Sequence, residues 1–272
     1  MTLPPDHPGN GSQADLSPQK PPRKRRKDAG QPRWEDRDYY ILQWIGVQGV
    51  IRFDQLRRLL GRESPDLGDW EAILSESATR NAIDRWETGH LVNSAHVVPK
   101  EPKYYWLSNA GFQFVELDLP HYRPKRQEVP LLFACNQIRL YIELLARLDN
   151  QEFGDHWECE WISARMLAQR HPETGLHLPI AQFQTPKRGT LAIELVQESV
   201  STTEPMMRSY TKGLGYSEVW YFAPSSVLPE LEAIREKLRR SGLPVDHIYT
   251  FNADAILVPP SPPKRTKKKN KE

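Results

Sequence analysis

The chain predicts an α/β fold in two parts, and three observations carry that expectation. Between residues 34 and 120, apolar residues recur at helical spacing in short runs and then alternate in a hairpin. From about residue 121, helix-like and strand-like runs alternate, the pattern of a sheet with helices on its faces. Residues 1–33 and 259–272 are rich in proline and basic residues and poor in apolar ones, so the fold lies between them.

The ends carry the positive charge. Residues 1–33 hold seven Lys/Arg against three Asp, and 259–272 hold six against one Glu. That leaves 24 basic and 31 acidic residues for the middle, which the formal net charge of +2 conceals. Pro21-Pro22 leads into Arg23, Lys24, Arg25, Arg26 and Lys27, and Pro262-Pro263 leads into KRTKKKNKE. Dense like charge with few apolar groups does not offset the entropy of ordering, so a disordered basic arm and a disordered basic tail are expected. Such arms attract a polyanion by counterion release; they also serve as solubilising or address segments.

No stretch reaches the roughly 18 consecutive apolar residues of a membrane span, and the first residues lack the basic-then-apolar pattern of a secretory signal. The two cysteines, Cys135 and Cys159, have neither metal-ligand spacing nor a disulfide framework. A reducing, cytoplasmic setting without a membrane partner is the expectation.

Residues 34–120 read as an N-terminal winged helix-turn-helix. Residues 38–47 place Ile41, Leu42, Trp44 and Ile45 on one side of a first helix. Phe53, Leu56, Leu59 and Leu60 mark a second, with Gly61 expected to close it in the left-handed conformation. A third runs over 77–88 and stops at Gly89. Its Ala78, Ala82, Ile83 and Trp86 share one side, while Ser77, Arg80, Asn81 and Asp84 face the other way. Strands at 92–98 and 104–107 flank a tip with Lys100 and Lys103, and Ser108 caps a closing helix.

In that geometry the third helix enters a major groove. Arg80 and Asn81 suit guanine and adenine edges, and Arg85, Lys100 and Lys103 suit phosphates. Against this stand nine Lys/Arg and fourteen Asp/Glu in residues 34–120, and Asp84 and Glu87 near the reading face. A protein-docking role is the competing reading of the same module.

Downstream, Leu131, Cys135, Ile138, Ile142, Leu145 and Leu148 form one face of a long helix. Arg139, Glu143 and Arg147, four apart on another side, read as a solvated ion-pair ladder. Residues 157–161 alternate with Trp157, Cys159 and Trp161 inward, as in a strand. Strands at 178–184 and 191–196 follow, then a helix from about 204 to 212 closed by Gly213. A central strand at 219–222, a helix opened by Pro229 and ended at Gly242, and a strand near 247–251 complete the order.

The succession FACNQIRLYIELLA, WECEW, LPIAQF, AIELV and YTKGLGYSEVWYF behind a winged helix resembles the replication-relaxation family of plasmids and other mobile elements. The likeness covers roughly residues 37–240. It implies a restriction-endonuclease-like, PD-(D/E)XK mixed sheet flanked by helices over residues 121–258. By that resemblance Glu160 takes the early acidic position, Pro179 the proline, and Glu194 the strand glutamate. Ile180 stands where the resemblance implies a metal-ligating Asp, Val196 where relatives often carry a second acid, and the following Lys is missing.

The resemblance therefore implies a nuclease-like half without a working site: no cofactor, no metal, and Glu160 and Glu194 as remnants. Glu194 is then a partly buried carboxylate meeting Arg208 or Tyr210. Double-stranded DNA is the expected partner of the winged helix. A relaxase, a replication protein or a second copy of the chain is expected at the downstream half. The alternative is an endonuclease or nickase holding Mg2+ or Mn2+ with Glu160, Glu194 and a third acid, Glu158 or Glu198. A protein scaffold that binds no DNA is the second alternative.

Overall fold

Asp38 Oδ2 accepts the Glu35 N–H at 3.0 Å, half of the capping box that starts helix α1 (Asp36–Gln48). The computed structural model describes residues 34–64, 69, 71–172, 177–197, 201–212 and 215–257. The expected basic arm (with Arg23 to Lys27), the basic tail and the Gly213 cap lie outside them. Ile41, Leu42, Trp44 and Ile45 are buried, as the helical spacing requires.

A two-residue strand β1 (Ile51–Arg52) follows, too short for alternation to reveal it in the sequence. Helix α2 (Phe53–Arg62) runs through Gly61 rather than stopping there, which corrects the expected left-handed cap. Gly61 is needed for close approach instead: a Cβ there would stand 2.1 Å from the Ala72 carbonyl oxygen. Ser75 Oγ accepts the Ala78 N–H to start α3 (Glu76–Thr88).

Strands β2 (Val92–Ala95) and β3 (Tyr104–Leu107) form the expected hairpin, paired from Val92↔Leu107 to Ala95↔Tyr104. β1 joins the free edge of β3, giving the order β1-β3-β2. Ser108 caps α4 (Asn109–Phe114) through the Gly111 N–H.

The downstream half is a five-stranded mixed sheet. β4 (Glu160–Ser163), β5 (Ala181–Thr185) and β6 (Gly189–Leu195) are antiparallel, and β7 (Glu218–Ala223) and β8 (Ile248–Asn252) continue in parallel. Alternation along β6 splits the core. Leu191 and Ile193 pack with Ile138 and Ile142 of helix α5 (Val129–Leu148). Ala192 and Val196 pack with Met207 of α8 (Thr203–Tyr210) and Leu231 of α9 (Leu228–Arg240). Helices α6 (Asn150–Phe153), α7 (Ala164–Arg170) and α10 (Asp254–Leu257) are short. The expected α/β class with helices on both faces of a mixed sheet is observed.

Two further local expectations fail. The strand read at 157–161 begins only at Glu160; before it, Asp155 Oδ1 accepts the Trp157 N–H in a 3-10 turn over His156–Glu158. Trp157 is consequently 72% exposed rather than inward. The ladder Arg139, Glu143 and Arg147 is not solvated. Helix α5 is covered by the sheet on one side and by α1 and α2 on the other, so polar positions are buried as well as apolar ones. Glu143 accepts from Arg62 of α2, from Arg139 and from the Trp44 indole N–H of α1. Arg147 reaches Glu63 at 2.6 Å.

Further bonds join the same surfaces. Gln48 accepts from the Trp161 indole and donates to Asn136, which donates to the Val50 carbonyl. The expected boundary at 120/121 therefore falls between halves that share a buried interface, and the described residues belong to one compact unit. Helix α5 alone among the described residues is long and apolar enough to cross a membrane; it is the core helix, more than half buried.

Candidate functional site

Helix α3 presents Arg80, Asn81 and Asp84 to solvent, while Ala82, Ile83 and Trp86 face the core. The 100° step of the helix imposes that division. Arg80 lies 5.2 Å over the Phe53 ring and 3.8 Å from Glu76, with both charged side chains more than half exposed. An exposed pair of this kind is worth about 0–1 kcal/mol, so Arg80 can exchange Glu76 for another anion at little cost.

Arg85 is different. Its Nη2 lies 2.6 Å from Asp38 Oδ1, and the Asp38 side chain is fully buried and also accepts the Trp86 indole N–H at 2.9 Å. Removing a partner from a buried pair costs about 3–5 kcal/mol, so this guanidinium is a strut between α3 and α1. That engagement weighs against the phosphate contact expected of Arg85.

Lys100 and Lys103 are exposed in the β2–β3 connection and make no ion pair among the described residues. Lys100 sits at φ 68°, the left-handed turn residue of the hairpin tip. The Lys103 carbonyl accepts the Phe53 N–H at 3.0 Å, fixing the base of the hairpin against α2. Glu87 is occupied by the Ser94 hydroxyl at 2.7 Å, whereas Asp84 remains an exposed acid on the α3 face.

The second candidate centre surrounds Glu194 on the α8 side of the sheet. Glu194 is 2% exposed. Its Oε1 accepts the Tyr210 hydroxyl and lies 2.7 Å from His177 Nε2. Tyr221, in register with Glu194 on the adjacent parallel strand, is buried with a hydroxyl that has no hydrogen-bond partner. Tyr216 accepts from Gln182 at 2.7 Å, and the Tyr210 and Tyr216 rings lie 5.7 Å apart.

Burial and the Glu194 charge push the Tyr210 and Tyr221 phenols well above their ordinary range, so both stay protonated and neither is an activated nucleophile. The hydrogen bond to Glu194 raises the His177 pKa, opposed by partial burial. The arrangement is a hydrogen-bonded carboxylate pinning α8 and the 177–180 segment to the sheet. Arg208, the other expected partner of Glu194, pairs instead with Glu204 at 3.3 Å.

The two remnant acids do not converge. Glu160 is half exposed and lies 3.6 Å from Arg170. Register places Glu160 level with Gln184 and Thr190, four residues along β6 from Glu194 and two strands away. At about 3.3 Å per residue and 4.8 Å per strand, the separation is about 16 Å. Ile180 packs with the core on the α5 side, Glu158 is exposed in its turn, and Glu198 lies outside the described residues. Among the described residues no three His, Cys, Asp or Glu side chains are grouped to hold a metal ion.

No family model, no curated protein and no solved structure matches the chain.

Of the two partners expected for Glu194, Arg208 and Tyr210, the tyrosine is the one that meets it, and His177 joins them without any spacing in the sequence to announce it. The connection from α7 to β5 brings it back over β6, a path that sequence spacing does not encode. Tyr221 had a signal: parallel neighbours in register share a face, and β7 is the strand that follows the α8 crossover.

Proposed function

We propose that this chain is a DNA-binding accessory or regulatory protein of a plasmid or other mobile element, similar to replication-relaxation proteins. In this reading residues 34–120 act as a winged helix-turn-helix. Arg80 and Asn81 read base edges in a major groove, and Lys100 and Lys103 hold phosphates from the wing. The observation that carries it is the pairing of an exposed, weakly engaged Arg80–Asn81 face on α3 with two unpaired lysines on the adjoining hairpin.

The restriction-endonuclease-like half docks a relaxase, a replication protein or a second copy of the chain, and does not cut. Its support is the distance between Glu160 and Glu194 and the occupation of Glu194 by Tyr210 and His177. The acidic balance of residues 34–120 favours a second reading, a protein scaffold without DNA binding.

One experiment separates them. Fluorescence anisotropy of the full chain with a labelled duplex should give affinity that falls with salt and survives EDTA. Supercoiled plasmid incubated with Mg2+ or Mn2+ should remain intact. Absence of salt-sensitive binding would leave the scaffold, and metal-dependent relaxation lost in Glu194→Ala would restore the endonuclease.

A further inference from the structure

Away from both centres, a cleft of about 360 Å³ opens where α2, α5 and α10 meet. Its size falls in the lower part of the range of small-molecule sites, about 300–1,000 Å³. Leu140 and Leu144 of α5 supply an apolar wall one turn apart, faced by Ile73 and Ile256, with the Tyr141 hydroxyl-bearing ring beside them. α2 contributes Arg58 and Arg62 from successive turns.

The two arginines are not equivalent. Arg62 is neutralised by Glu143 and Glu63, 2.7 and 3.0 Å away. Arg58 is half-buried and makes neither a hydrogen bond nor an ion pair; only the field of Asp54 reaches it, and partial burial pulls its pKa down. A guanidinium drawn partly out of water without a counter-charge is an unfavourable arrangement that an incoming anion relieves. Glu71 also lines the cleft, which disfavours a ligand carrying several negative charges.

We propose that this cleft binds a small amphipathic anion, with an apolar body between Leu144 and Ile256 and a single carboxylate or sulfonate on Arg58. The walls come from both halves of the chain, so an occupant bridges α2 to α5 and α10. The proposal stands apart from the DNA-binding reading and needs no nucleic acid for its test.

The probe is 1-anilinonaphthalene-8-sulfonate, an aromatic body with one sulfonate, compared with its uncharged relative N-phenyl-1-naphthylamine on the full chain. The expected result is saturable binding of the sulfonate at one site per chain. Arg58→Gln should weaken it about tenfold, the worth of one charge-assisted contact, and leave the uncharged probe unchanged. Leu144→Trp should fill the cleft and abolish binding of both probes. Should that variant lose its native melting temperature, Ala255→Trp blocks the same space from α10. Sulfonate affinity unaltered by Arg58→Gln, or binding that persists in a natively folded blocked variant, would overturn the proposal.

Discussion

Arg62 of α2 donates to Glu143 of α5 across 2.7 Å, and both side chains are largely withdrawn from solvent. The pair ties the N-terminal helices to the core helix of the mixed sheet. Arg139 and the Trp44 indole donate to the same carboxylate, so three helices meet at one acid. The flanking arginines hold the Glu143 carboxyl down at about 2, against the cost of burial.

Glu143→Gln should therefore destabilise the chain by about 3–5 kcal/mol, because Arg139 stays buried with its counter-charge gone and Arg62 keeps only Glu63. Urea denaturation read by tryptophan fluorescence checks it. The sign with pH follows from a depressed carboxylate. The contribution is present above the ordinary glutamate value and is lost as pH falls towards about 2. The gap between wild type and Glu143→Gln should hold from pH 7 to 5, narrow below the ordinary glutamate value and close only near pH 2.

Arg85→Ala and Arg80→Ala should separate stability from DNA affinity. Loss of Arg85 leaves the Asp38 carboxylate buried with one charged donor fewer, an expected cost of about 3–5 kcal/mol. Arg80→Ala should change stability by less than about 0.5 kcal/mol and instead narrow the gap between a preferred duplex, selected from a random library, and bulk DNA. Equal losses of stability in the two variants would contradict the division of roles on α3.

Lys103→Ala should weaken binding to all duplexes alike and reduce the slope of log affinity against log salt by about 1. Lys100→Ala should behave in the same way. The left-handed φ at position 100 makes Lys100→Gly the cleaner charge deletion, since glycine occupies that region without strain. A salt slope unchanged in both variants would place the phosphate contacts elsewhere.

His177 provides a pH signature at the other centre. Its folded pKa is raised by Glu194, so its stabilising contribution is complete below the ordinary imidazole value, about 6.5. That contribution is lost as pH rises through the elevated folded value. The melting-temperature difference between wild type and His177→Gln should be largest below the ordinary imidazole value and shrink as pH rises above it. A difference independent of pH would mean that the imidazole contributes by packing alone.

Much of the secondary structure was legible because it rests on periodicity. The apolar stripe of α1, the faces of α3, the 92–107 hairpin and the run at 219–222 each repeat at the helical or strand step and form there, although the first hairpin strand ends at Ala95 rather than at 98. Gly242, where the helix was expected to end, stands just past the Ser241 cap of α9 with φ 77°. The candidate centre was half legible. Glu194 was legible with Arg208 or Tyr210 as its partner, and the fold selects Tyr210, while His177 and Tyr221 join them only through the β5–β6–β7 arrangement.

By itself the sequence determined most of the longer helices and strands and the apolar side each one buries, since both follow from the local geometry of the backbone; the two-residue β1 and the turn before Glu160 have no such periodicity. Which polar residues are buried was decided by tertiary structure. Arg139, Glu143 and Arg85 carry the spacing of solvated side chains, and became internal struts only because another part of the chain packed over them. Burial of a charge depends on the partner that arrives from elsewhere in the fold, and no periodicity within one helix records that partner.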